Sequence, residues 1–229
     1  MPNLFVIAGP NGAGKSTSAP ELLMGPRRVE QFVNADAIAS ERAEARRDMA
    51  FETTLSSRLL LPRIRSMQAG GYLFHLFFFW LPNADMAVKR VAFRVAGGGH
   101  DIPEDVIRRR YERGLENFFN YYLLAADSWV LMNNTARPGR RIASRDVGDA
   151  LSVEDNDLWN QLVTRYVKPR VEQEQAIAAP QKLWTAEDIV QAVNRAVTAA
   201  LKRHKELGQS IVVWRDGQVV TLKPEEIEV

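Results

Sequence analysis

The chain has 229 residues, with 30 Lys+Arg against 28 Asp+Glu, a formal net charge of +2, 46% hydrophobic and 25% charged residues. This is an ordinary globular composition, long enough for one domain with an appendage or two small ones, and it excludes disordered, collagen-like and coiled-coil classes. There is no cysteine, and the three histidines (His75, His100 and His204) are scattered, so disulfide frameworks, thiolate nucleophiles and Cys/His metal centres are excluded as well.

Leu4-Phe5-Val6-Ile7-Ala8 is a continuous apolar run ending at Gly9, the pattern of a strand buried on both faces. A helix is expected from Lys15 to about Leu23, closed by Gly25-Pro26. A second strand, Glu30 to Asn34, leads to Asp36 and a helix reaching about Arg47. Met49-Ala50-Phe51 reads as a brief strand ending at Glu52, followed by a helix from Leu55 to Gln68 that Gly70-Gly71 stops. Tyr72 to Leu81 is the most apolar strand and suits the centre of a sheet; at about ten residues it falls far short of the ~20 a membrane span needs. With no secretory leader pattern at Met1–Phe5, a cytoplasmic protein is expected.

Asn83 can cap a helix to about Val95, which Gly97-Gly98-Gly99 breaks. Pro103, Glu104 and Asp105 begin another, running to about Ala125, with an apolar stripe of Ile107, Tyr111, Leu115, Phe118 and Tyr122. Ser128–Met132 and Arg141–Val147 are further strands. Strands alternating with helices imply an α/β fold with a mostly parallel sheet flanked by helices. From about Leu151 the character changes. Thr185 looks like a cap, a helix runs to Leu207 with Gly208 as its left-handed end, and Ile211–Trp214 and Gln218–Leu222 flank Arg215-Asp216-Gly217 as a hairpin. The expected organisation is a core over 1–150 and a helix-plus-hairpin extension over 151–229, packed on that core.

Gly9-Pro10-Asn11-Gly12-Ala13-Gly14-Lys15-Ser16 fits G-x-x-x-x-G-K-[ST]. Glycines let successive N–H groups turn toward one point at a helix N-terminus, which makes an anion nest. Lys15 would reach the β- and γ-phosphates and the Ser16 hydroxyl would ligate Mg²⁺, with Thr17 beside it. A chance match in a chain this long is on the order of one in a hundred, and the flanking strand and helix lower that further. The expected nucleotide-binding set is therefore Gly9 to Thr17, with ATP or GTP and Mg²⁺ as cofactors. Neither a guanine-reading Asn-Lys-x-Asp nor four aliphatics ending in Asp-Glu occurs, so a kinase is expected rather than a switch or motor.

In an open α/β sheet, ligands sit beyond the carboxyl ends of the strands. Asp36, Glu52 and Asp85 fall there. Asp36 is the first candidate base for a substrate hydroxyl, although the position also suits a helix cap. Glu52-Thr53-Thr54 could bind substrate hydroxyls, hold the metal's water shell, or cap the next helix; Asp85 is most simply a first-turn helix acid. Arginines at 90, 94, 108, 109, 110 and 113 flank Gly97-Gly98-Gly99-His100. They suit a hinged lid over about 90–113 that closes on the γ-phosphate, or a solvated face paired with Glu104, Asp105 and Glu112. His100 suits a capping or hinge contact as well as acid/base chemistry, and Phe118, Phe119, Tyr121, Tyr122, Trp129 and Trp214 read as packing.

Taken together, Ala8 to Ser16, Asn34-Ala35-Asp36 and Phe51 to Ser56 resemble the zeta-toxin-like P-loop kinases. Arg90-Val91-x-x-Arg94-Val95-x-Gly97-Gly98-Gly99-His100-x-Ile102-Pro103, then Arg109-Arg110-Tyr111, Asp127-Ser128-Trp129, Asn133-Asn134-Thr135 and the 208–217 tail are similar to the small bacterial branch often called predicted ATPases. The resemblance implies a P-loop kinase fold and Asp36 as the base that activates a sugar hydroxyl. It also implies Glu52 and Thr54 as substrate-binding residues, and phosphate-clamping arginines near Arg94 and Arg109 with Arg90 and Arg110 as close alternatives. Well-known members phosphorylate UDP-N-acetylglucosamine and are neutralised by a protein antitoxin. The function expected is a kinase acting on a small-molecule hydroxyl, with an antitoxin as a possible partner and neither membrane nor nucleic acid. The alternatives are a polynucleotide or RNA-end kinase and a nucleotide-gated regulatory module.

Overall fold

The structure is a computed structural model and describes residues 1–18, 47–169, 198, 201–203, 205–208, 210–215 and 218–227. The expected strand at Glu30–Asn34, the helix ends on either side of it, Asp36, the Thr185 cap and the Asp216-Gly217 turn lie outside the described residues.

The first compact unit, Met1–Ala178, is built on a six-stranded sheet. Its strands are β1 (Asn3–Ala8), β2 (Met49–Thr53), β3 (Leu73–Trp80), β4 (Ser128–Asn133), β5 (Arg140–Arg145) and β6 (Ser152–Val153), in the order β2-β1-β3-β4-β5-β6. The first four are parallel, and β5 and β6 continue the sheet antiparallel. β1 lies between β2 and β3, which explains its unbroken hydrophobicity: Leu4 to Ala8 are all fully buried, as a strand covered on both faces requires. This is the expected mostly parallel α/β sheet, with an antiparallel edge added.

Helices α1 (Leu61–Ala69), α2 (Ala84–Ala96) and α3 (Glu104–Asn117) connect the strands. Asn83 caps α2, accepting from the Met86 N–H at 2.9 Å, with Asp85 in the first turn. α3 buries Ile107, Tyr111 and Leu115, and runs into a π-helical turn, Phe118–Tyr122, before a last short turn at Leu123–Ala125. The widened turn sets Phe118, Phe119, Asn120 and Tyr122 inward together. Asn120 then uses its whole amide, donating to the Glu116 and Tyr166 carbonyls and accepting from the Lys168 N–H.

The helix expected from Leu55 begins only at Leu61. Residues 54–60 instead form a tight loop in which Leu55, fully buried, has φ of 53°. The Thr53 hydroxyl accepts from the Leu55 N–H, and Asn117 donates to the Leu55 carbonyl. α4 (Asn156–Tyr166) was not expected from the sequence; capped by Asp155, it buries Leu162 and Tyr166 and stacks Trp159 on Trp129 with centroids 5.7 Å apart. Its packing on Trp129 sets α4 within the first unit, Met1–Ala178.

In the second unit, Ala179–Val229, residues 201–203 and 205–206 are helical and Gly208 has a φ of 63°. β7 (Ile211–Arg215) and β8 (Gln218–Leu222) pair antiparallel, as the hairpin expectation requires.

Candidate active site

Four parallel strands end on one side of the sheet, and their last residues lead into the loops that form the site. β1 runs directly into Gly9–Lys15, and residues 15–18 begin a helix. Gly9 and Gly14 have φ of 140° and 81°, conformations that side-chain-bearing residues seldom adopt. Space forbids a side chain at both as well: a Cβ on Gly9 would stand 2.4 Å from the Phe79 carbonyl oxygen, and one on Gly14 would stand 2.9 Å from Asn134 Nδ2. The loop is thus wedged against the ends of β3 and β4.

Two side chains hold it there. Buried Asn134 donates to the Ala13 carbonyl. Arg90, on α2, donates to the Asn134 and Thr135 carbonyls at 3.0 and 2.8 Å and to the Gly12 carbonyl at 3.5 Å. The loop and the β4–β5 connection are therefore fixed to one another through backbone oxygens.

Lys15 donates from Nζ to the Gly9 and Pro10 carbonyls at 2.8 and 2.9 Å. The side chain as a whole is half-buried, but its ammonium end is desolvated, and this pulls its pKa from 10.5 down to about 8. The Glu52 carboxylate opposes the shift, while Arg94 and Arg110 add to it. Glu52 stands at the end of β2 in register with Ile7 and accepts from the Ser16 hydroxyl at 3.0 Å. A hydroxyl and a carboxylate side by side are hard oxygen donors of the kind Mg²⁺ takes, directly or through water, so this corner fits the expected metal.

The cavity above the loop measures about 820 Å³. Asn11, Gly12 and Gly14 to Thr17 form its floor; Glu52 to Thr54, then Arg90, Phe93 and Arg94, then Thr135 to Arg137 form its walls. Gly9, Pro10 and Ala13 act from beneath, through their backbone. Thr54 shares a hydrogen bond of 2.9 Å with Ser56, and its carbonyl rests on α3 at Gly114, where a Cβ would come within 2.5 Å.

The expected arginines divide. Arg94 lines the cavity and donates to the His100 carbonyl at 2.8 Å, strapping the 97–103 connection to α2. Arg90 lines it too, with its guanidinium engaged by carbonyls. Arg110 is half-buried and near enough for its charge to act on Lys15. Arg109, one residue round the helix, is half-exposed and lies 3.7 Å from Asp105, while Arg108 pairs with Asp85 and Glu104 at 2.6 and 2.7 Å. Asp36 lies outside the described residues. Arg137, Phe93 and Gly114 were not singled out from the sequence, and Asn134 entered there only as part of a family resemblance. The only signal was the Asn133-Asn134-Thr135 run at the end of β4.

No protein-family model matches the chain. An uncharacterized protein of Haemophilus influenzae is 27% identical over 123 residues, 45% of this chain and 88% of that protein. Among solved structures, the AvrRxo1-ORF1:-ORF2 complex with ATP is similar at a TM-score of 0.54 and 16% identity, over 73% of this chain. The PezAT chromosomal toxin-antitoxin system of Streptococcus pneumoniae is similar at a TM-score of 0.50 and 10% identity, over 88% of this chain and 87% of that one. This chain has the P-loop kinase fold. It spans 65% of the length of the AvrRxo1 chain it matches. In open α/β sheets, ligands bind beyond the carboxyl ends of the strands, which is where the Gly9–Lys15 loop, Arg90 and Arg94 border the cavity.

Proposed function

We propose that this protein is an ATP- or GTP-dependent kinase that phosphorylates a hydroxyl of a small metabolite, with a nucleotide sugar such as UDP-N-acetylglucosamine as the first candidate. The observation that carries the reading is the gathering of positive charge from Lys15, Arg94 and Arg110 at a glycine-rich loop at the end of a buried parallel strand, with the Glu52 carboxylate in the wall of the same cavity. So much positive charge, part of it desolvated, favours a polyanion.

When bound, Mg²⁺-nucleotide supplies the phosphoryl group and partial neutralisation of its charge. Lys15 exchanges the Gly9 and Pro10 carbonyls for phosphate oxygens. Ser16 and Glu52 hold the metal and its water. Arg94 and Arg110 stabilise charge on the equatorial oxygens, with Arg109 beside them on α3. Glu52 and Thr54 would border the acceptor, and Asp36 would take the acceptor hydroxyl's proton as its oxygen bonds to the γ-phosphorus and the bond to the β–γ bridging oxygen breaks, releasing the nucleoside diphosphate. The fold likeness to PezAT and to a two-protein AvrRxo1 complex supports a toxin role with a protein antitoxin as partner.

The test is incubation of the full chain with ATP-Mg²⁺ and a metabolite panel that includes nucleotide sugars and 5′-hydroxyl RNA, read as a mass gain of one phosphoryl group. A phosphorylated metabolite that disappears with a folded Lys15→Ala variant is the expected result. Phosphorylation of RNA alone, or full activity in that variant, would overturn the reading.

A further inference from the structure

We infer that Phe93 is the platform on which the base of the bound nucleotide stacks. This rests on the nucleotide-binding reading above. Phe93 is 84% exposed although it sits on a helix with a well-formed buried face, Ala87 and Val91. An isolated exposed phenylalanine is unremarkable in itself. This one forms part of the cavity wall, between Arg90 and Arg94.

Its surroundings give the ring a use. Arg90, one turn earlier on α2, reaches the Thr135 carbonyl at 2.8 Å, and Phe93 and the 135–137 segment both line the cavity. In that segment several polar groups are already engaged. The Thr135 N–H and hydroxyl both donate to Asn133 Oδ1, and the Asn134 and Thr135 carbonyls both accept from Arg90. The Arg137 guanidinium lies near the loop at Gly14 and lines the same cavity. A wall that carries an exposed aromatic ring and a planar cation favours stacking, and stacking is tolerant of which base is bound.

The test measures affinity of the full chain for ATP, GTP and inorganic tripolyphosphate, each with Mg²⁺, in wild type, Phe93→Ala and Phe93→Trp. Base–aromatic stacking contributes enough that Phe93→Ala should weaken ATP and GTP alike by about tenfold or more. Tripolyphosphate, which has no base, should bind wild type and Phe93→Ala equally. Phe93→Trp should restore ATP affinity, and its added fluorescence should change with ATP and not with tripolyphosphate. Unchanged ATP affinity in Phe93→Ala, or an equal loss for tripolyphosphate, would overturn the inference while leaving the phosphate site in place. A wild-type chain that binds neither ATP nor tripolyphosphate would overturn the underlying reading and this inference with it.

Discussion

Lys15 holds its charge at a cost in desolvation, and that cost sets a pH signature for binding. With the pKa lowered to about 8, the free lysine is charged below that pH and loses its proton above it; a polyanion beside it raises the pKa again. Nucleotide affinity should therefore be flat with respect to this group below about pH 8 and fall by up to about tenfold per pH unit above it. Binding in that upper range should take up a proton, seen by calorimetry in buffers of different ionisation heat. No proton uptake at pH 9 would remove the charge role given to Lys15. At Asp36 the two sequence readings part in one variant. Asp36→Asn should keep ATP binding and lose ~10²–10⁴-fold in transfer if the carboxylate is the base. Transfer and melting temperature near wild type would make it a cap, since Asn caps nearly as well as Asp.

At the scale of elements, the loop after β2 shows where local pattern and tertiary packing diverge. Within Leu55 to Gln68 the helix waits for Pro62, which suits only a first turn, and the residues before it are held in a loop by Asn117 and Gly114 on α3, about sixty positions away in sequence. No local signal encodes such a contact. Gly114→Ala is informative here. Alanine is the better helix former by ~1 kcal/mol, but its Cβ would stand 2.5 Å from the Thr54 carbonyl oxygen, and overpacking of that kind costs ~1–3 kcal/mol. A lower denaturant midpoint and weakened transfer are expected; a more stable protein would show that the loop yields freely. Between α2 and α3, Gly98 has a φ of 85° with open space around it, and Arg94 ties the connection through His100. Saturating nucleotide should slow proteolysis near 97–101 if this segment closes over the phosphates. An unchanged cutting rate would leave Arg94 as a surface strap.

At the scale of the whole molecule, the parallel sheet, the phosphate loop, the α2 cap and the C-terminal hairpin were legible because each has a local signature: a run, a spacing, a cap residue or a turn pair. The antiparallel edge, α4 and the π-helical turn were not. α4 has helical spacing in Leu158, Leu162 and Tyr166, but its meaning depends on Trp129 and Asn120, which lie elsewhere in the chain. The site was half legible in the same sense. Residues proposed to touch phosphate follow a motif, whereas Arg90 and Asn134 brace that motif through backbone carbonyls, a role that no local spacing announces. No helix among the described residues is long and apolar enough to cross a membrane. The double brace on the loop has a kinetic consequence. A loop already fixed to β4 and α2 has no folding to do when a ligand arrives, so capture becomes a matter of encounter. In stopped-flow experiments the bimolecular phase should stay linear in triphosphate concentration. Its slope should fall steeply as salt screens the arginines and the lysine, and any later closing should show as a separate phase whose rate does not rise with ligand. Replacing Asn134 with alanine should bend that line toward a plateau, as the unbraced loop begins to limit how fast the site can be filled.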